Sequence, residues 1–360
     1  MNEKFMKGSI YVCHTYYHVY VTLLKEFAKP KEEQGKASIV LSNISTDFEE
    51  LPKRLEKLNI FQEIFEYDEK DYTHLPEVMK YHHPSKFFLT SLWNRYRFTK
   101  LYGKMQEKYI PTDFKQYKDV YVFCDSDPIG YYLNWKHIYY HAVEDGLDTL
   151  RSSDLARVDN ASHFELKVFL SKKCNLLFIQ NGYAKYCLDM EVNDISILKY
   201  PCPYYVEVPR AKLMERLTKE EKKLMLRAFV KEVDKIETVI ATKDKKTVMI
   251  LTEPLCDLDV RKTIFADLIK TYDSEYQIIL KQHPRDLLDY EKEFSEHLLI
   301  DRTVPMEMLN FFENFQVDLI VSVFTELGNI EFAKERLRLG RDFMDAYEDR
   351  EKHESRFESL

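Results

Sequence analysis

The sequence predicts an α/β protein made of two Rossmann-like domains facing a cleft. Short runs rich in Val, Ile, Leu and Tyr alternate with stretches of helical period, the pattern of βα units and parallel sheets. That alternation stops at the rigid, helix-breaking segment Tyr200-Pro-Cys-Pro-Tyr204 and restarts near residue 246. With 360 residues, 45% hydrophobic and 32% charged, the chain can bury two cores of ordinary domain size.

Taken in order, Lys7 to Cys13 reads as a first strand, running through His14-Thr15 into a helix from Tyr16 to Phe27 that Pro30 ends. Ala37 to Leu41 is a second strand, followed by an amphipathic helix around Phe48 to Leu58. Lys86 to Tyr109 is a long aromatic and basic helix carrying Trp93, Arg95, Tyr96 and Arg97. It is expected to pack on its own sheet, with an anionic glycan or a membrane surface as the other reading. Val120 to Cys124 and His137 to Ala142 are strands that each end in acids, and Leu176 to Gln180 and Ile195 to Leu198 read as two more. A charged helix is expected from Arg210 to Ile236. Strand Thr247 to Leu251, helix Val260 to Tyr272 and strand Tyr276 to Lys281 follow, then strand Asp318 to Ser322, helix Glu326 to Arg336 and an acidic helical tail.

Composition removes several function classes. Only 8 glycines occur, and neither GxxxxGK[ST] nor GxGxxG is present, so phosphate loops of those kinds are not expected. A net charge of −8 disfavours a dedicated nucleic-acid binder. The six cysteines, Cys13, Cys124, Cys174, Cys187, Cys202 and Cys256, form no CxxC and no zinc-finger spacing with histidine. A reduced, cytosolic chain is the simpler expectation, soluble or at most peripheral to a membrane, since no apolar run has signal-peptide or membrane-spanning length.

In parallel sheets, ligands bind beyond the carboxyl ends of strands, and four such places carry chemistry. Glu144-Asp145-Gly146 puts a carboxylate at a sharp turn, where it can take a proton from a substrate hydroxyl or simply be a solvated turn. Lys281-Gln-His283-Pro284-Arg285 delivers an imidazole flanked by cations, suited to a phosphate leaving group, with the proline placed to open a helix. Val321-Ser322-Val-Phe-Thr325 offers hydroxyls at an expected helix amino terminus, which cap it and can hold a phosphate. Cys124-Asp125-Ser126-Asp127-Pro128 is an Asp-x-Asp at a strand end, and Asp257-Leu-Asp259 is a second. Helix capping is the ordinary reading of the first pair, and no metal is expected at either or at His82-His83.

The ordered set resembles the lipooligosaccharide and capsule sialyltransferases of glycosyltransferase family 52. Ile10-Tyr-Val-Cys-His-Thr15, Phe123-Cys-Asp-Ser-Asp-Pro-Ile-Gly-Tyr-Tyr-Leu133 and Leu251-Thr-Glu-Pro-Leu255 are similar to that family, and the acid-acid-Gly and His-Pro pair is shared with polysialyltransferases. The resemblance implies a GT-B fold and an inverting, metal-independent transfer of sialic acid from CMP-sialic acid to a galactoside or sialoside hydroxyl, with no cofactor. Asp145 would match the base and His283 the group assisting departure of CMP; Asp257 or Asp259 would be the alternative base. Glu144, Gly146, Lys281, Pro284, Arg285, Ser322 and Thr325 would serve the donor, and His14, Thr15, Asp125 and Ser126 the acceptor side of the cleft. The sequence departs from the family at Phe324, where a second small hydroxyl residue is expected. Residues 1–205 would be the acceptor-side domain, 206–245 a linker helix, 246–340 the nucleotide-sugar domain and 341–360 a tail returning to the first domain. A bacterial protein at the inner face of the plasma membrane, as a homodimer, is the implied setting. A GT-B transferase using CDP-glycerol or a UDP-sugar is the rival reading.

Overall fold

The computed structural model describes residues 6–83, 85–146, 162–198, 200, 202–241, 245–328 and 330–352. The chain divides into two compact units, Met1–Thr218 and Lys219–Leu360.

In the first unit, seven strands form one parallel sheet: β1 (Ile10–Cys13), β2 (Ser38–Ser42), β3 (Glu63–Tyr67), β4 (Val120–Phe123), β5 (Tyr140–Val143), β6 (Cys187–Val192) and β7 (Tyr205–Glu207). Their spatial order is β3-β2-β1-β4-β5-β6-β7. β1 is buried at all four positions, as expected of a central strand covered on both faces. Helix α1 (Tyr16–Phe27) starts where the Thr15 side chain accepts a hydrogen bond from the His18 amide, so the sequence signal for its start is a true cap. Next come α2 (Leu51–Leu58), α3 (Pro76–Met79), α4 (Phe88–Gln106), α5 (Pro128–Lys136), α6 (Phe164–Lys172) and α7 (Arg210–Glu215). Only the second half of α4 packs inward: Phe98 and Tyr102 are buried against Tyr131 of α5, at ring distances of 5.7 and 4.9 Å. Gly103 permits that approach, because a Cβ there would lie 2.5 Å from the Tyr131 carbonyl oxygen.

The second unit opens with α8 (Lys219–Phe229) and α9 (Val233–Ala241), then builds β8 (Lys246–Leu251), α10 (Leu258–Tyr272), β9 (Tyr276–Lys281), α11 (Tyr290–Glu293), β10 (Leu298–Ile300), β11 (Val317–Ser322), β12 (Ala333–Arg338) and α12 (Gly340–Met344). Its sheet is also parallel, ordered β10-β9-β8-β11-β12. Met344 is buried in this unit's core, with Phe343 and Tyr347 packed on it, so the described part of the tail is anchored here. Both sheets reverse direction beside their first strand, between β1 and β4 and between β8 and β11, and such switch points open a crevice at the carboxyl ends.

Several expected elements are otherwise. Leu176 to Gln180 is buried but not a strand; left-handed Asn181 and Gly182 turn the chain, and β6 takes the place beside β5. Ile195–Ile197 is a 3₁₀ turn, because the Asp194 carboxylate accepts from the Ser196 amide. The expected helix from 210 to 236 is three helices; Thr218-Lys-Glu-Glu221 has the spacing of a capping box before the second. Among the described residues of 326–336, no helix follows β11. Its partner there is the parallel strand β12, in register from Val317↔Ala333 to Ser322↔Arg338.

Candidate active site

In the first unit, the carboxyl ends of β1, β3, β4 and β5 converge on a linked set of acids and imidazoles. His14, just past β1, is fully buried, and its Nε2 donates to Glu69 Oε2 at 2.9 Å. Glu69 also accepts from Ser42 Oγ at 2.6 Å and, through Oε1, from the Ile129 amide of α5 at 2.7 Å. Burial works against the charge on His14, but Glu69 and then Asp127 outweigh it and hold the imidazole above its ordinary value.

One helical turn on, His18 is also fully buried and stacks on Phe123 at 4.4 Å and 11°. Its Nδ1 accepts from the His14 amide at 3.0 Å, so the neutral ring carries its proton on Nε2. That Nε2–H donates to Asp145 Oδ1 at 2.7 Å. Burial keeps His18 below the ordinary imidazole value. The Cys124 thiol, at a left-handed residue, donates to the same Oδ1 at 2.9 Å. Asp145 therefore has one oxygen clamped while the side chain is 49% exposed. Burial alone would raise it, but the hydrogen bonds donated by His18 and then Cys124 bring it down to about 2.

The neighbouring acids differ sharply. Asp125 is buried, accepting from the Asn181 amide at 2.9 Å and from Tyr140 Oη at 3.1 Å, and burial pushes it up to about 6. Asp127 stands at the amino-terminal cap position of α5 without a capping bond, its Oδ2 3.6 Å from His14 Nε2. Burial, opposed by His14 and reinforced by Glu69 and Asp145, lifts it to about 7. Ser126 is exposed. Glu144 is buried and accepts from the Asn193 amide at 2.7 Å, tying β5 to the end of β6; Gly146 continues the turn. The β4–α5 turn depends on Gly130, where a Cβ would fall 1.9 Å from the Asp125 carbonyl oxygen.

A ring nitrogen from each of His14 and His18 and the Cys124 sulfur lie within 4.8 Å of one another, a spacing a soft divalent cation would accept. The tautomer turns the group elsewhere. With Nδ1 accepting an amide, His18 could ligate through Nε2 only as an imidazolate, whereas as it stands Nε2–H serves Asp145.

The second unit presents His283 after β9. Its amide donates to Thr252 Oγ1 at 3.0 Å, and its Nδ1 accepts from the Arg285 amide at 3.1 Å, again leaving the proton on Nε2. Burial, then Arg285 and Lys281, lower it to about 4, so the ring is neutral and a hydrogen-bond donor. Pro284 opens a turn rather than the expected helix, closed by the Asp286 amide on the His283 carbonyl at 3.0 Å, and Arg285 is exposed. Lys281 is buried; its Nζ donates to the Gln282 and Asp301 carbonyls at 2.7 and 3.1 Å, and burial lowers it to about 8. Asp257 and Asp259 are exposed at the start of α10.

The Ser/Thr turn after β11 is where sequence reasoning missed a residue. With no helix following, the expected helix-terminus phosphate site does not form. The amides of Val323, Phe324 and Thr325 converge instead on Glu253, with Oε1 at 2.8, 3.1 and 3.2 Å. Glu253 is buried, and burial raises its pKa against the pull of those amides. Ser322 is buried and donates to the Thr325 carbonyl at 2.8 Å; Thr325 is exposed. Arg261, Asp286 and Tyr290 form a buried network behind the His-Pro turn, with Arg261 to Asp286 at 2.5 Å and Tyr290 to Asp286 at 2.8 Å. His18 and Glu69 have no motif of their own, and Glu253 lies in the Leu251–Leu255 motif without an expected role there. The i, i+4 pair His14/His18 at the start of α1 was the available signal.

Two Rossmann-like units, each a parallel sheet with a switch point beside its first strand, define the GT-B fold class. The chain belongs to glycosyltransferase family 52, whose family model matches residues 65–324. Among solved structures, a Photobacterium 2,6-sialyltransferase in a ternary complex with donor product CMP and acceptor substrate lactose is similar, with a TM-score of 0.51 at 10% identity over 92% of this chain and 71% of that one. An α/β-galactoside α-2,3-sialyltransferase from Photobacterium phosphoreum is similar with a TM-score of 0.49 at 14% identity, over 92% of this chain and 90% of that one. At such identities the likeness is one of fold, and the family assignment agrees with the ordered motifs. No curated protein sequence matches the chain. Among the described residues, no helix is long and apolar enough to cross a membrane.

Proposed function

We propose that this enzyme is an inverting, metal-independent sialyltransferase that moves sialic acid from CMP-sialic acid to a galactoside or sialoside hydroxyl. The observation that carries this reading is the Asp145 carboxylate, held ionised beyond the carboxyl end of β5 by the buried His18 Nε2–H with its side chain half exposed. The acceptor hydroxyl oxygen attacks the anomeric carbon as the bond from that carbon to the CMP phosphate oxygen breaks, in a single displacement that inverts the centre. Asp145 takes the hydroxyl proton. A carboxylate this acidic does so late, once carbon–oxygen bond formation has made the oxygen acidic. His283 offers its Nε2–H to the departing phosphate, with Arg285 adding positive charge. The leaving group is already a phosphate anion and the carbon carries oxocarbenium character, so base and donor suffice without a metal.

In this scheme, the first unit supplies the acceptor side and the second holds the donor. Glu253 orders the turn containing Ser322 and Thr325. The products are bacterial surface glycans, lipooligosaccharide or capsule, made in the cytoplasm, where six free cysteines are at home. The test is the purified enzyme with CMP-sialic acid and lactose in EDTA, with product read by mass spectrometry. Sialyllactose is expected. Turnover confined to CDP-glycerol or a UDP-sugar would keep the fold and replace the donor.

A further inference from the structure

The turn after β11 holds an anion of the chain's own. Three successive amides, Val323, Phe324 and Thr325, meet the carboxylate of Glu253, and Phe324 reaches both of its oxygens at 3.1 Å. Successive backbone N–H groups aimed at one point make a concavity that binds phosphate as well as carboxylate. Glu253 comes from the other side of the switch point, just past the end of β8, and is 5% exposed. Its neighbour Thr252 serves β9 instead. Thr252 Oγ1 accepts from the His283 amide, and the Thr252 amide donates to the Lys281 carbonyl at 2.9 Å. The filled cradle and the His283 turn therefore flank the same strand end.

With the CMP-linked donor proposed above, on which this assignment rests, the filled cradle decides what else can enter. A donor linked through one phosphate needs partners for a single anionic group, and the His283 turn offers them. A donor linked through two phosphates brings a second anion to the same crevice, where the strand-end amides that could receive it are already taken. It would also meet the charge of Glu253, which is buried and so poorly screened. A mere tie between two strand ends needs no charge, since a neutral side-chain oxygen also accepts from amides. A buried carboxylate is the costlier choice, and repulsion of a second anion is what it adds. We propose that Glu253 is a donor-specificity residue: by filling the amide cradle of the β11 turn, it confines the site to nucleoside monophosphate donors and turns away nucleoside diphosphates.

The test compares CMP, CDP and inorganic pyrophosphate on the full-length enzyme in EDTA, by calorimetry and thermal melting. Wild type is expected to bind CDP at least roughly tenfold more weakly than CMP and to gain little stability from pyrophosphate. In Glu253→Ala, the CDP penalty should fall to within roughly threefold. Pyrophosphate should then raise that variant's melting temperature by about 2 °C or more, because the freed amides take the anion. Glu253→Gln, which keeps an acceptor oxygen but no charge, should lose part of the CDP penalty and gain nothing from pyrophosphate. If Glu253→Ala is unfolded on its own, refolding by pyrophosphate but not by chloride at equal ionic strength is the expected equivalent. Equal affinity of wild type for CMP and CDP would overturn the proposal. So would an undiminished CDP penalty in every variant that folds, or pyrophosphate stabilising wild type as much as Glu253→Ala. Failure of wild type to bind CMP, with pyrophosphate still stabilising Glu253→Ala, would sink the donor reading and leave the cradle assignment standing.

Discussion

Asp145 combines partial burial with a low pKa, two properties that ordinarily oppose each other, and His18 reconciles them. The sequence offered Asp145 through its acid-acid-Gly turn, but His18 was hidden inside the apolar run of α1, where a histidine reads as core. It is indeed core, and it acts through a single donated hydrogen bond. The expected consequence is visible in a pH profile. On the proposed mechanism the active form needs Asp145 ionised, and with its pKa at about 2 the acid limb of kcat/KM should lie below the working range. His18→Asn removes the donor and leaves the burial, so the limb should rise to or above the ordinary carboxylate value of about 4. Asp145→Asn should lose roughly 10²–10⁴-fold in kcat at all pH values. A limb that stays put in the His18 variant would make that bond incidental.

At the scale of elements, two close approaches hold the strand-end turns in shape. Gly130→Ala should cost about 1–3 kcal/mol by overpacking against the Asp125 carbonyl, read by urea unfolding. Glu253→Ala should cost about 1–3 kcal/mol, because it strands the buried amides of Val323, Phe324 and Thr325. Glu253→Gln, keeping one acceptor oxygen, should retain more of the stability. What the sequence made legible follows the same physics. Strands with both faces buried, such as β1 and β9, announce themselves as apolar runs, and α1 and α10 by their period. The missed strands carry little such signal. β12 reads Ala-Lys-Glu-Arg-Leu-Arg, a composition of helix formers, yet it lies at a sheet edge, where charged side chains protect the exposed ladder. Leu176 to Gln180 failed in the other direction, since burial without pairing gives the same apolar run as a strand. Long-range partners such as Glu253 with the β11 turn, 70 residues apart, leave no local trace.

For the whole molecule, the division of labour between the units makes a prediction of its own. CMP should raise the melting temperature of wild type and Asp145→Asn alike, because His283 and Arg285, proposed to meet the phosphate, lie in the second unit, and should raise it less in His283→Ala. An Asp145 variant that has lost CMP stabilisation would move the base assignment to the donor side, toward Asp257 or Asp259. The strand order shared by the two sheets made the fold readable from the alternation of elements. The chemistry was readable only as far as strand ends, because the residues that tune it come from other strands. The most direct measurement is CMP release from CMP-sialic acid in EDTA, with and without lactose, by wild type and Asp145→Asn side by side. Acceptor-stimulated release by wild type, abolished in Asp145→Asn, is the expected result. Release that lactose does not stimulate, or that survives unchanged in Asp145→Asn, would contradict the assignment of Asp145 as the base for sialyl transfer.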